Sequence, residues 1–210
     1  MNLPNRLTVV RMCLVPVILL IGFLTPKSAD TLAFYISSTL CAAVFIVASV
    51  TDILDGKIAR RDGLVTDFGK FMDPVADKFM VIGALFVILY KFPQLELLMI
   101  ATLIIVVFRE LAVTSMRLVV STGQSIVVAA NNLGKLKTVL QIVAISTVFL
   151  EPVVQHVAMK TAELITNKPL AWRTDILPLT WITLGLSVIL TVWSGVAYLK
   201  AYWKYLDPQK

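Results

Sequence analysis

Six runs of mostly apolar residues, each about 20 residues long, constrain this chain more than any other feature, because a hydrocarbon core of roughly 30 Å takes about that length of helix to cross. The spans are expected near residues 7–24, 31–51, 74–91, 95–119, 136–157 and 176–200. Lipid, not water, is the solvent of such a chain: 58% of its 210 residues are hydrophobic, only 15% are charged, and mean hydropathy is +0.86. With no water in the bilayer core, each span must satisfy its backbone internally. The short connections leave no room for a soluble domain. The expected architecture is therefore a single domain over residues 1–210, all-α, an integral membrane bundle of six transmembrane helices.

The first run is expected to be retained rather than cleaved, because Arg11 and Pro16 interrupt it and no small-residue cleavage site follows before Pro26. Its opening, Asn2-Leu3-Pro4-Asn5-Arg6-Leu7-Thr8, mixes turn, apolar and basic residues and suits a short N-terminal interfacial helix. Cys13 and Cys41 lie in apolar runs without metal-ligand spacing and read as buried, inert thiols.

Orientation follows from the cations. With the N-terminus inside, all of the 19 Lys and Arg residues except Lys27, Lys91, Lys160, Lys168 and Arg173 fall on the cytoplasmic side, so both termini are expected in the cytoplasm. The net charge of +6 is explained by this bias and by attraction to anionic membrane lipids. Nucleic acid is not an expected partner, since the basic residues are dispersed and not interleaved with exposed aromatics. On this topology the unusual polar groups converge at one membrane face. At 1.5 Å per residue, Arg109 lies about 21 Å along a span that starts near residue 95, in the cytoplasmic third of the bilayer.

Between the second and third spans the sequence reads Asp52-Ile-Leu-Asp55-Gly56-Lys-Ile-Ala59-Arg60, then eight residues, then Gly69-Lys-Phe-Met-Asp73-Pro-Val-Ala-Asp77. Asp52 and Asp55 are spaced i, i+3 and Asp73 and Asp77 are spaced i, i+4, so each pair projects from one face of a helix. Gly56 and Ala59 leave space for a bulky group beside the first pair, and Arg60 offers a fork of donors for phosphate oxygens. Four carboxylates in one pocket need neutralising. All-oxygen ligation points to hard divalent cations, and a metal pair bridged by carboxylates suits in-line displacement at phosphorus. The plainer reading, surface pairing with Lys57, Arg60, Arg61, Lys70 and Lys78, does not require paired helical spacing.

The pattern D-x2-D-G-x2-A-R-x8-G-x3-D-x3-D, here Asp52, Asp55, Gly56, Ala59, Arg60, Gly69, Asp73 and Asp77, resembles the signature of the CDP-alcohol phosphotransferases. The resemblance implies transfer of a phosphatidyl group from a CDP-linked lipid to an alcohol, with CMP leaving. It further implies a divalent metal, Mg²⁺ or Mn²⁺ and two ions, held by Asp52, Asp55, Asp73 and Asp77. Asp52, Asp55, Gly56, Ala59, Arg60 and Gly69 would bind the CDP-lipid, and Asp77 would be the catalytic base. A homodimer is implied by the same resemblance.

The acceptor alcohol must be sought elsewhere. Glu110 and Arg117 share a face of the fourth span, flanked by Arg109, and the fifth span opens with Gly134-Lys135-Leu136-Lys137-Thr138. Arg109, Arg117, Lys135 and Lys137 are the expected acceptor-phosphate residues, because an arginine so deep needs a partner such as Glu110, a signature carboxylate or a bound phosphate. The opening with Arg11 and Pro16, the Arg109-Glu110 pair, and Gly134 to Thr138 with Gln141 resemble the phosphatidylglycerophosphate synthase branch of the family. That resemblance implies CDP-diacylglycerol and sn-glycerol 3-phosphate as substrates, in a bacterial cell membrane with the active site facing the cytoplasm. A cardiolipin synthase is the nearest alternative. A cation transporter is remoter, since its carboxylates would be expected at the midplane with repeats between halves. Asp62 and Asp67 read as solvated loop positions, His156 as interfacial, Tyr198, Tyr202, Trp203 and Tyr205 as an aromatic belt, and residues 158–175 match nothing assignable.

Overall fold

Helices account for all the regular structure among the residues described by the computed structural model, which are 2–27, 31–61, 63, 64, 66–124, 132–167 and 177–203. They are α1 (Leu3–Leu24), α2 (Leu32–Arg61), α3 (Asp67–Lys91), α4 (Glu96–Gln124), α5 (Asn132–Thr166) and α6 (Pro178–Tyr202), with a 3₁₀ turn at Pro93–Leu95 between α3 and α4. Asp62, Lys168, Arg173, Lys204, Tyr205 and Lys210 lie outside the described residues, as does the side chain of Arg60.

Several helices run beyond the apolar stretches that announce them, and local chemistry explains where they stop. Asn2 caps α1 by accepting from the Asn5 N–H at 3.2 Å, and Pro4 sits in the first turn, where a missing N–H costs nothing. The expected separate interfacial helix is therefore corrected: residues 3–6 are the first turn of one continuous α1, which also passes through Pro16. A break there would leave several backbone groups without water to satisfy them. Thr66 caps α3 by accepting from Gly69 N at 3.1 Å, and Asp67 in the first turn favours the helix dipole. Asp67 is thus helical rather than in a loop, although it is solvated as expected and paired with Lys70 at 3.0 Å.

Among the described residues, five helices are long and apolar enough to cross a membrane, α1, α2, α4, α5 and α6, so the chain is a membrane protein. The sixth expected span, α3, does not meet that standard, because Asp73, Asp77, Lys78 and Lys91 are spread along it. It lies inside the bundle, packed mainly on α1 and also on α4, α5 and α2. Between apolar helices in lipid, close van der Waals contact replaces hydrophobic expulsion from water. Glycines provide that closeness: a Cβ on Gly83 would lie 2.8 Å from Val15 Cγ1, and one on Gly22 would collide with Val87. These contacts press α1 onto α3 along its length and fix what α1 presents at its first turns.

The core centres on Phe34, Phe45, Phe92 and Phe149, all at most 2% exposed, with Phe92 edge-on to Phe34 at 5.6 Å and to Phe149 at 6.1 Å. Buried polar groups hold the end of the bundle remote from the signature aspartates. Lys91, fully buried, donates to Ser37 Oγ at 2.6 Å and Thr25 Oγ1 at 3.0 Å. Glu151 on α5 caps α6 from outside, accepting from the N–H groups of Leu179 at 3.0 Å and Thr180 at 2.7 Å. His156 stacks on Tyr35 with ring centroids 4.0 Å apart. Cys41 is buried but Cys13 is exposed, and Tyr198 packs inward on Val113, Met116 and Val120 instead of joining a belt.

Candidate active site

Three helix ends converge on the signature aspartates: the start of α1, the end of α2 and the start of α3. The i, i+3 spacing on α2 and i, i+4 spacing on α3 turn the two pairs toward α1, as the sequence requires. What occupies their midst is Arg11. Its guanidinium is fully buried and pairs through Nη1 with Asp52 Oδ1 at 2.6 Å and Asp77 Oδ1 at 2.8 Å, and through Nη2 with Asp55 Oδ2. The fourth aspartate, Asp73, accepts from Thr8 Oγ1 at 2.6 Å through its Oδ1. One helical turn earlier, Asn5 Oδ1 accepts from Thr66 Oγ1 at 3.0 Å, and Asn2 Nδ2 donates to Leu64 O at 2.8 Å, tying α1 to the connection between α2 and α3.

Gly69 is buried beneath Asn5, where a Cβ would come within 3.0 Å of Asn5 Oδ1, so its smallness serves the α1–α3 contact. Gly56 and Ala59 continue the α2 stripe and are partly exposed. Asp55 is 4% exposed and sits behind Arg11, whereas Asp52, Asp73 and Asp77 line a cavity of about 310 Å³ between α2, α3, α4 and α5.

The opposite wall of that cavity is basic. Lys78, Arg109, Arg117 and Lys137 line it, with Glu110, Thr114, Thr138 and Gln141. Glu110 Oε1 holds two of the cations at once, Arg109 Nη1 at 2.9 Å and Lys137 Nζ at 2.5 Å. Arg109 also reaches Ser194 Oγ on α6 at 3.3 Å, and Lys78 donates to Thr114 Oγ1 at 2.6 Å. One carboxylate against four cations leaves this wall net positive. Gln141 lines the chamber and is 4% exposed, and its Nε2 is a buried donor without a partner among the described residues.

The structure brings together Asp52, Asp73, Asp77, Arg109, Arg117 and Lys137 as expected. Lys135 is not in this group: two residues before Lys137 on α5, it points away, exposed, and does not line the chamber. Lys78 and Thr8 were not singled out by sequence reasoning, and Arg11 was noted only as part of the opening. The signal for Arg11 was present, because an arginine in the middle of an apolar span demands a buried partner.

The donor set fits a divalent cation in chemistry: four hard carboxylate oxygen groups and no thiolate or imidazole beside them. Among the described residues no three acidic, His or Cys side chains already converge as a metal cage. Asp52 and Asp77, 35% and 49% exposed at their side chains, have open space on the chamber side in which to turn onto an ion.

A model of the CDP-alcohol phosphatidyltransferases matches residues 1–193. The chain belongs to this family. CDP-alcohol phosphatidyltransferases generally use divalent metals, in keeping with the acidic wall. A CDP-diacylglycerol–glycerol-3-phosphate 3-phosphatidyltransferase of Bacillus subtilis is 37% identical over 210 residues, covering 98% of this chain and 97% of its own length. A protein of the same description from Rickettsia felis is 37% identical over 153 residues, 71% of this chain and 75% of its own. A CMP-forming cardiolipin synthase of Oryza sativa is 31% identical over 215 residues, 98% of this chain and 59% of its own.

Proposed function

We propose that this chain transfers the phosphatidyl group of CDP-diacylglycerol to sn-glycerol 3-phosphate, giving phosphatidylglycerophosphate and CMP. The observation that carries the reading is a single chamber with Asp52, Asp73 and Asp77 of α2 and α3 on one side, Arg109, Arg117 and Lys137 of α4 and α5 on the other, and Lys78 beside Asp77. A lipid-linked pyrophosphate and a small phosphorylated alcohol need such opposed walls if they are to meet. The names of the Bacillus and Rickettsia relatives support the same pair of substrates.

The acceptor phosphate is held by Lys137, Arg109 and Arg117, with Lys78 and the unused Gln141 amide as further donors and exposed Lys135 raising the positive potential outside. That grip leaves the acceptor's free hydroxyl facing the aspartates. Asp77, which spends Oδ1 on Arg11, takes the hydroxyl proton on its other oxygen as the acceptor oxygen attacks the phosphatidyl phosphorus. The new P–O bond forms as the P–O bond to CMP breaks. Gly56 and Ala59 leave the face of α2 open to the nucleotide, and Arg60 pairs with its phosphate. Asp52, Asp55 and Asp73, with Asp77 beside them, would hold Mg²⁺ or Mn²⁺, as two ions, which would supply charge stabilisation at the pyrophosphate and the departing CMP.

The reading includes α3 as a sixth span, since four other helices pack on it and its Asp73, Asp77 and Lys78 line the chamber, and puts both termini and the chamber on the cytoplasmic side of a bacterial membrane, as the distribution of Lys and Arg supports. A homodimer is proposed on the family resemblance alone.

The test is CMP release by purified protein given CDP-diacylglycerol and Mg²⁺ or Mn²⁺, with glycerol 3-phosphate, phosphatidylglycerol, serine or inositol phosphate offered in turn. Release with glycerol 3-phosphate only is expected. Release with phosphatidylglycerol instead would favour the cardiolipin synthase reading that the rice relative keeps open. No release with any acceptor from folded protein would overturn the enzyme reading.

A further inference from the structure

The opening of α1 uses every polar side chain from Asn2 to Arg11 other than Arg6 on the α2–α3 region, and the pattern of oxygen atoms engaged is systematic. Asp52, Asp55 and Asp77 each give one oxygen to Arg11, and Asp73 gives one to Thr8. Four carboxylates from two helices are thus each held at one oxygen by side chains of a third helix, one turn apart. Arg11 has no exposed surface, and both of its Nη groups are spent on the aspartates, while its Nε has no partner among the described residues. Thr8 is 1% exposed, and of the two acceptors its single hydroxyl proton can reach, Asp73 Oδ1 at 2.6 Å is nearer than Pro4 O at 3.1 Å.

We infer that α1 is the outer shell of the metal site: Thr8 and Arg11 fix one oxygen of each signature aspartate and so aim the other, at the cation for Asp52, Asp55 and Asp73 and at the acceptor hydroxyl for Asp77. This rests on the metal-dependent reading of the site given above. The physical requirement is general. A carboxylate left to rotate presents a range of geometries to an ion, and partners that restrict it preorganise the ligand, so their loss typically weakens metal binding about 10- to 100-fold. The fixed Arg11 charge also lessens the mutual repulsion of the aspartates before any cation arrives. Thr8 and Arg11 are positioning residues in this scheme, since the Thr8 hydroxyl is turned onto Asp73 and Arg11 offers only N–H donors and a positive charge.

The test measures Mn²⁺ binding to the full-length protein in detergent, by the loss of the free-ion electron paramagnetic resonance signal, for the wild type, Thr8→Val, Thr8→Ser, Arg11→Lys and Arg11→Gln. Thr8→Val is expected to weaken Mn²⁺ binding about 10- to 100-fold and Thr8→Ser to restore it, which a merely structural effect of the smaller side chain would not do. Arg11→Lys, which keeps the charge but loses the fork, is expected to weaken it as well. Unchanged affinity in both Thr8→Val and Arg11→Lys would overturn the inference, and tighter binding in either Arg11 variant would too, because the guanidinium would then be a competitor of the cation. Should Arg11→Gln fail to fold, the Thr8 pair still decides. Wild-type protein that binds no Mn²⁺ would sink the metal-dependent reading itself, whereas normal wild-type binding with unaffected variants sinks only the role of α1.

Discussion

Replacing Lys137 by methionine isolates the part of the basic wall that the acceptor needs. Lys137 is 5% exposed, its Nζ lies 2.5 Å from Glu110, and it lines the chamber. In most buried ion pairs, removing one partner orphans the other and costs about 3–5 kcal/mol of stability. Here it does not, because Glu110 keeps Arg109 at 2.9 Å, so Lys137→Met should fold. What is lost is one charged donor to the acceptor phosphate. A hydrogen bond involving a charged group contributes about 1.5–3 kcal/mol net, and at about 1.4 kcal/mol per factor of ten the KM for glycerol 3-phosphate should rise about ten- to a hundredfold. The KM for CDP-diacylglycerol should stay near its wild-type value. Lys135→Met is the internal control: exposed and outside the chamber, Lys135 should matter by less than about 1 kcal/mol. The assay is CMP release over a range of glycerol 3-phosphate concentrations at saturating CDP-diacylglycerol. An unchanged KM with a lower kcat in Lys137→Met, or a larger effect from Lys135, would refute the assignment of the basic wall.

Asp77→Asn keeps a side-chain oxygen for Arg11 but not a base, so kcat should fall about 10²- to 10⁴-fold while CDP-diacylglycerol still binds; wild-type turnover would remove the base role. Glu151→Gln loses charge against the α6 N-terminus and keeps an acceptor for only one of the Leu179 and Thr180 N–H groups, so the thermal midpoint in detergent should drop, by about 1–3 kcal/mol of stability. Turnover at low temperature should survive that change, since Glu151 is remote from the chamber, and equal loss of activity and stability would argue against a purely structural role. Gly83→Val should lower both stability and turnover, at about 1–3 kcal/mol for overpacking, because it pushes α1 and hence Arg11 away from α3. Gly185→Ala, with open space around its Cβ, should leave both measures unchanged.

The legible parts of this protein were those governed by neighbours in sequence. Apolar length predicted helices at every expected position, and the aspartate spacing predicted two faces that meet. Boundaries were less legible: α5 continues past its apolar stretch on pairs within the helix, such as Lys160 with Glu163, and α2 continues past its own where Asp52 and Asp55 find Arg11 on α1. The interfacial helix failed as an expectation for the same reason: Asn2, Asn5 and Thr8 read as interfacial polar residues until α3 and its N-terminal connection are placed against them. Likewise Tyr198 reads as part of an aromatic belt by sequence position, and only the packing of α6 on α4 turns it inward.

By itself the sequence determined the solvent, the helical class, the four carboxylates and the family signature, since hydropathy and helical periodicity depend only on residues within a few turns of one another. The tertiary structure decided which cations serve which carboxylates. Arg11 belongs to Asp52, Asp55 and Asp77, Lys137 and Arg109 share Glu110, and Lys135 faces away although it stands two residues from Lys137. Apart from Arg109 with its neighbour Glu110, those pairings join residues tens of positions apart. For Arg11 the physical basis is the depth to which α1 settles on α3 over Gly22 and Gly83, a contact distance that no local spacing encodes.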